Sequence, residues 1–154
     1  MLVLDCTLRD GGYYNSWNFP QHVVEQYLQA MDAANVDIVE LGMRSLKNDG
    51  FKGAAGFTTD EYLDTLPLPS SLKVGVMVNA SELVSASSIE EALALLFPKN
   101  AEESKVDLVR IACHVHEFEQ ALPSCKWLKD RGFLVGFNLM QVAERSQDEV
   151  EALA

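Results

Sequence analysis

Cysteine is scarce in this chain: Cys6, Cys113 and Cys125 are odd in number and show no paired spacing. That argues against a disulfide framework or a cysteine zinc site, so all three are expected as free thiols, with Cys6 buried. Positive charge is scarce as well, twelve basic residues against twenty-three acidic ones for a net charge of −11. Such a surface repels phosphate backbones and anionic lipid, which argues against nucleic acid and membranes as partners. No apolar run approaches the length of a membrane span, and Met1 leads into a strand pattern without a basic region or cleavage site. The expected location is therefore the cytoplasm. No internal sequence repeat is present either.

What is present is a 154-residue chain, 48% hydrophobic, enough for one domain over 1–154 with a sizeable core. Its opening stretch alternates at strand period, with Leu2, Leu4, Cys6 and Leu8 on one face and Val3, Asp5, Thr7 and Arg9 on the other. The run ends in Arg9-Asp10-Gly11-Gly12, where the glycines would let backbone approach a ligand. A strand greasy on its outward face and polar towards its C-terminal end suits the active-site strand of a parallel α/β barrel. Pro20 then opens a helix carrying Val23, Val24, Tyr27, Leu28, Met31 and Ala34 at helical spacing, and Asn35 ends it. A second strand is expected over 36–41, with Val36, Ile38 and Glu40 on one face.

The connection 43–57 carries Arg44, Lys47 and Lys52 among three glycines, and is either a lid or a flexible surface loop. Further along, the pattern predicts a short helix over 58–66 stopped by Pro67, and a strand over 72–78 followed by Asn79. A helix capped by Ser81 and running to Leu96 comes next, then a strand over 106–112 that includes Arg110. The helix over 117–129 is expected to be confined to its later part by Pro123, with Gly132 closing it. A strand over 133–140 carries Asn138, and Ser146 starts a fifth helix.

Strand and helix thus alternate five times at roughly thirty residues per unit, the size of a βα unit. Arg9, Glu40, Asn79, Arg110 and Asn138 all fall near strand C-terminal ends, the side on which parallel α/β folds bind ligands. Five such units fit either part of a TIM (β/α) barrel or a flavodoxin-like, doubly wound binding or signalling domain. A receiver-type module calls for an acid after the third strand and a lysine after the fifth, where this chain has Asn79 and Asn138-Leu139-Met140-Gln141. A flavin-binding module calls for a hydroxyl- and glycine-rich phosphate loop where Arg9-Asp10 stands.

Asp5-Cys6-Thr7-Leu8-Arg9-Asp10-Gly11-Gly12 resembles the first-strand signature of the HMGL-like metal-dependent aldolases and lyases, which include 4-hydroxy-2-oxovalerate aldolase and hydroxymethylglutaryl-CoA lyase. Val36-Asp37-Ile38-Val39-Glu40-Leu41-Gly42 resembles that family's second strand, Arg110-Ile111-Ala112-Cys113-His114 its fourth and Val135-Gly136-Phe137-Asn138-Leu139-Met140 its fifth. The resemblance implies an eight-stranded barrel, typically about 250 residues, of which this chain would hold the first five βα units. It also implies cleavage or formation of a carbon–carbon bond next to a 2-oxo acid or acyl group through an enolate.

In that scheme Asp10 binds the metal, Mn²⁺ or Mg²⁺, because hard oxygen ligands suit those ions. Arg9 steadies the enolate oxygen. Glu40 takes a supporting acid, base or metal role, or is simply an inward carboxylate paired with Arg9 or Arg110. Tyr13 stands where the aldolase branch has an acid–base histidine, and Arg44, Arg110 and Asn138 are the candidate substrate-binding residues. The family's His-x-His metal ligands would lie beyond residue 154, so this stretch alone is expected to be inactive. Open barrel edges lead to an expectation of association with further copies. His114-Val115-His116 has the spacing of a metal pair on a strand face, but an isolated pair is more often structural or exposed.

Overall fold

The computed structural model describes residues 1–153. Strands β1 (Leu4–Asp5), β2 (Ile38–Met43), β3 (Lys73–Asn79), β4 (Val106–His114) and β5 (Leu134–Met140) form one sheet. They pair in sequence order, β1-β2-β3-β4-β5, and every pair is parallel. That order decides between the two architectures. A doubly wound flavodoxin-like sheet runs 2-1-3-4-5 and reverses direction at its switch point, whereas consecutive neighbours without reversal are the first part of a barrel. The sheet is a curled half-barrel.

Strand parity sorts the side chains into two faces. Val39 and Leu41 of β2, Val74, Val76 and Val78 of β3, and Val109, Ile111 and Cys113 of β4 face the helices in one large core. There they meet Val24 and Leu28 from α2 (Gln21–Ala33), Leu63 from α3 (Asp60–Asp64), Leu83 from α4 (Ala80–Val84), Leu93 from α5 (Ile89–Leu96) and Leu128 from α6 (Phe118–Lys129). On the opposite, concave face Met77 and Ala112 form a separate small cluster with Met43, which a register shift between Glu40 and Gly42 brings out of phase with Val39 and Leu41, and Trp17 and Met140 pack against it.

The opening stretch departs from its pattern. The strand stops at Asp5, and helix α1 (Thr7–Asn15) takes up Arg9, Asp10, Gly11 and Gly12. Asp5 is the cause, because its carboxylate accepts the Thr7 backbone N–H at 2.9 Å, the Thr7 hydroxyl at 3.1 Å and the Tyr27 hydroxyl at 2.6 Å. Burial works against that charge, yet the hydrogen bonds from Tyr27 and Thr7 outweigh it and hold the Asp5 pKa below the usual carboxylate range. The chain therefore turns at Cys6, which is half-buried rather than buried. Gly12 serves packing instead of a turn, since a Cβ there would collide with the Trp17 indole.

Two helices also differ from expectation. The single helix predicted from Ser81 to Leu96 is two, α4 and α5, with Asn79 in the first N-cap position and Ser81 inside α4. Ser88 breaks the run, because its hydroxyl accepts the Glu91 N–H at 3.2 Å and caps α5. Pro123 lies inside α6 rather than delaying it. The lost bond would run to the carbonyl of Glu119, and both residues are exposed, so water can take the donor's place. The last helix, α7 (Gln147–Glu151), starts as expected at Ser146, whose hydroxyl and Glu149 form a capping box.

The connection after β2 is pinned at both ends. Glu82 accepts the Leu46 N–H at 2.8 Å and the Ser45 hydroxyl at 3.0 Å, and the Gly53 N–H donates to the Ser16 carbonyl at 2.8 Å. Close backbone approach there demands glycine at position 42, because a Cβ would collide with the carbonyl oxygen of Ala55. Gly42→Ala is accordingly expected to cost about 1–3 kcal/mol of stability, as overpacking does. Urea unfolding checks it, and an unchanged midpoint would mean that the connection yields without cost.

Candidate active site

Two charged residues stand in mid-strand on the concave face, and each has a glycine for a neighbour. Glu40 in β2 is in register with Gly75, and Arg110 in β4 is in register with Gly136. A Cβ on Gly75 would touch Glu40 Cβ at 3.6 Å, and one on Gly136 would touch Arg110 Cγ at 3.6 Å. Both glycines thus leave the inward side chains room to lie across the sheet.

Arg9 reaches this pair from the first turn of α1. Its Nε donates to Glu40 Oε2 at 2.8 Å, and Arg110 Nη1 stands 3.5 Å from the same oxygen. Arg9 Nη1 is also paired with Asp10. Burial opposes the Arg9 charge, but the hydrogen bond and charge of Glu40, followed by the charge of Asp10, raise its pKa above the ordinary value. Two cations and two carboxylates balance, as a charge cluster in a low-dielectric interior requires. The ion-pair alternative for Glu40 is realised with both arginines at once.

The four groups differ in access. Glu40 is fully buried and its Oε1 has no hydrogen-bond partner among the described residues, whereas the Asp10 side chain is 56% exposed. The second Asp10 oxygen accepts the Cys6 thiol at 3.1 Å, and burial together with Asp10 raises the Cys6 pKa. Trp17 locks the start of α1 by donating its indole N–H to the Arg9 carbonyl at 3.0 Å. Tyr13 packs edge-on against Trp17 with centroids 4.8 Å apart and is itself exposed. A cavity of about 170 Å³ opens there, lined by Tyr13, Trp17, Met43, Asn79 and Glu82 among others.

The structure therefore brings Arg9, Asp10, Glu40 and Arg110 together, with Tyr13 one aromatic contact away. Asn138 lies on β5 in register with Ala112, on the concave parity. Arg44 lies elsewhere. Its Nε donates to the Thr58 carbonyl at 3.1 Å, Nη1 to the Leu96 carbonyl at 2.7 Å, and Nη2 stands 3.2 Å from Asp60. The guanidinium also covers the Phe97 ring at 4.9 Å, and burial lowers its pKa against the pull of Asp60. Such contacts tie the β2–α3 connection to the end of α5.

His114 and His116 are not alternate residues of one strand face. His114 ends β4, and His116 belongs to the 3-10 turn Val115–Glu117 that follows. Glu117 joins them, a grouping that the reading of the histidines as an isolated pair missed. Its only signal was a glutamate three residues after His114, the spacing of a capping box.

No protein-family model matches the chain. Over 97% of its length it superposes with a TM-score of 0.83 on the crystal structure of the N-terminal domain of a protein assigned as an aldolase, from Bacteroides vulgatus, at 32% sequence identity and 48% coverage of that chain. In both fold and sequence the chain resembles the HMGL-like aldolases. Curated relatives agree with this. An oxaloacetate decarboxylase of Mycobacterium tuberculosis is 26% identical over 141 residues, 91% of this chain and 39% of the relative. The 4-hydroxy-2-oxovalerate aldolase 6 of Rhodococcus jostii is 24% identical over 151 residues, 96% of this chain and 40% of the relative. The chain thus spans about two-fifths of the curated relatives it matches. Among the described residues, no helix is long and apolar enough to cross a membrane.

Proposed function

We propose that this chain forms the N-terminal half-barrel of a divalent-metal-dependent carbon–carbon lyase acting on a small 2-oxo acid or acyl substrate. The observation that carries the reading is the Arg9 guanidinium, held by buried Glu40 and flanked by the exposed carboxylate of Asp10. A fixed hydrogen-bond donor beside an accessible hard-oxygen ligand is the pairing that enolate chemistry needs. The names of the two curated relatives support it. Oxaloacetate losing CO₂ and a 4-hydroxy-2-oxo acid losing an aldehyde both leave pyruvate enolate.

Asp10 fits a hard cation such as Mn²⁺ or Mg²⁺, because it offers a solvent-accessible carboxylate that is not consumed by burial. When bound, such an ion supplies Lewis-acid polarisation of the 2-oxo group. The chain's own residues do the rest. Arg9 donates N–H bonds to the oxygen that becomes negative as the carbon–carbon bond breaks. Glu40 keeps the guanidinium plane in place, and Arg110 and Asn138 present donors to the substrate carboxylate from the concave face. The Tyr13 hydroxyl is the candidate carrier of the proton leaving the substrate alcohol. Arg44, already engaged by protein groups, shapes the scaffold.

The test is pyruvate release from oxaloacetate and from 4-hydroxy-2-oxo acids by the complete protein, with Mn²⁺ supplied or chelated. Asp10→Asn is expected to weaken Mn²⁺ binding roughly tenfold or more, since a ligand matters at least as much as an outer-shell partner. Unaltered Mn²⁺ affinity in that variant would remove Asp10 from the metal site.

A further inference from the structure

Where β4 ends, two of the chain's three histidines meet a carboxylate. The turn Val115–Glu117 reverses the chain before α6, and ligand atoms of His114, His116 and Glu117 all come within 4.8 Å of one another. His114 Nδ1 is 3.2 Å from Glu117 Oε2, and the two imidazole rings stack with centroids 5.4 Å apart and planes 20° apart. Glu117 Oε2 also accepts the His114 backbone N–H at 2.9 Å, so the carboxylate is fixed by the main chain. Glu117 is buried, His114 half-buried and His116 exposed, which opens the group to solvent on one side. A cavity of about 510 Å³, lined in part by Val115, His116, Phe118 and Glu119, lies beside it.

We propose that His114, His116 and Glu117 form a binding site for a borderline divalent transition metal, zinc above all. Two imidazole nitrogens and one carboxylate oxygen make a zinc donor set that leaves a fourth, open position. Ligands of one zinc ion, at about 2.0–2.1 Å from the metal, stand roughly 3.3 Å from each other. The His114–Glu117 separation of 3.2 Å is close to that value, and the third donor, on exposed His116, lies within 4.8 Å of both. A capping box alone accounts for His114 and Glu117, but it gives no role to the imidazole stacked upon them. The site is separate from the charge cluster, because His114 lies four residues beyond Arg110, about 13 Å along the strand. It also differs in chemistry, nitrogen-rich where Asp10 offers only oxygen, and it stands whether or not the lyase reading holds.

Zinc titration of the chelator-stripped protein by calorimetry tests this, with Co²⁺ absorption as the readout of coordination. One zinc per chain is expected. His116→Ala should lower its affinity roughly tenfold or more and alter the Co²⁺ spectrum, while His22→Ala, at the exposed third histidine, leaves both unchanged. His116 is exposed, so this variant should keep the wild-type urea midpoint even if His114→Ala does not fold. Absence of zinc uptake by the wild type, or equal affinity in His116→Ala, would overturn the proposal.

Discussion

Glu40→Gln is expected to lower the unfolding free energy by about 3–5 kcal/mol, the scale on which one partner of a buried ion pair is missed. The carboxylate is fully buried and its Oε2 faces Arg9 at 2.8 Å and Arg110 at 3.5 Å. Glutamine keeps the volume but removes the charge, leaving two guanidinium groups facing each other in a poorly solvated space. Arg110→Met should relieve part of that repulsion, so the double variant is expected to be more stable than Glu40→Gln alone. Urea unfolding of the four species forms a double-mutant cycle, and additive losses would show that Glu40 and Arg110 act independently.

Parity made this pair legible. Glu40 and Arg110 could be placed on the inward face because each stands out of phase with neighbours that face the helices, Val39 with Leu41 and Val109 with Ile111. Sheet order was harder, since five βα units are common to two architectures and only the pairing of β1 through β5 separates them. The first strand misled because Leu2 to Leu8 alternates well, while Asp5 offers the backbone a competing hydrogen bond and starts α1 early. Tyr27, whose hydroxyl completes that arrangement from α2, is twenty-two residues away in sequence, so no local pattern could reveal it. Glu117 was visible only as the start of a helix, because its grouping with the histidines depends on the turn at the end of β4.

Arg9→Lys is expected to reduce turnover by roughly 10² or more, the effect of losing one donor to a developing oxyanion. Lysine keeps the charge but not the planar fork through which Arg9 meets Glu40 and Asp10 from different nitrogens. Metal affinity should change little, because arginine is not a ligand and lysine carries the same charge. The most direct measurement is therefore the kcat of pyruvate release by the complete Arg9→Lys protein, with Mn²⁺ affinity titrated on the same sample. A fall of about 10² in kcat at unchanged Mn²⁺ affinity is the predicted result. Full turnover in Arg9→Lys would contradict it and leave Arg9 as a structural partner of Glu40.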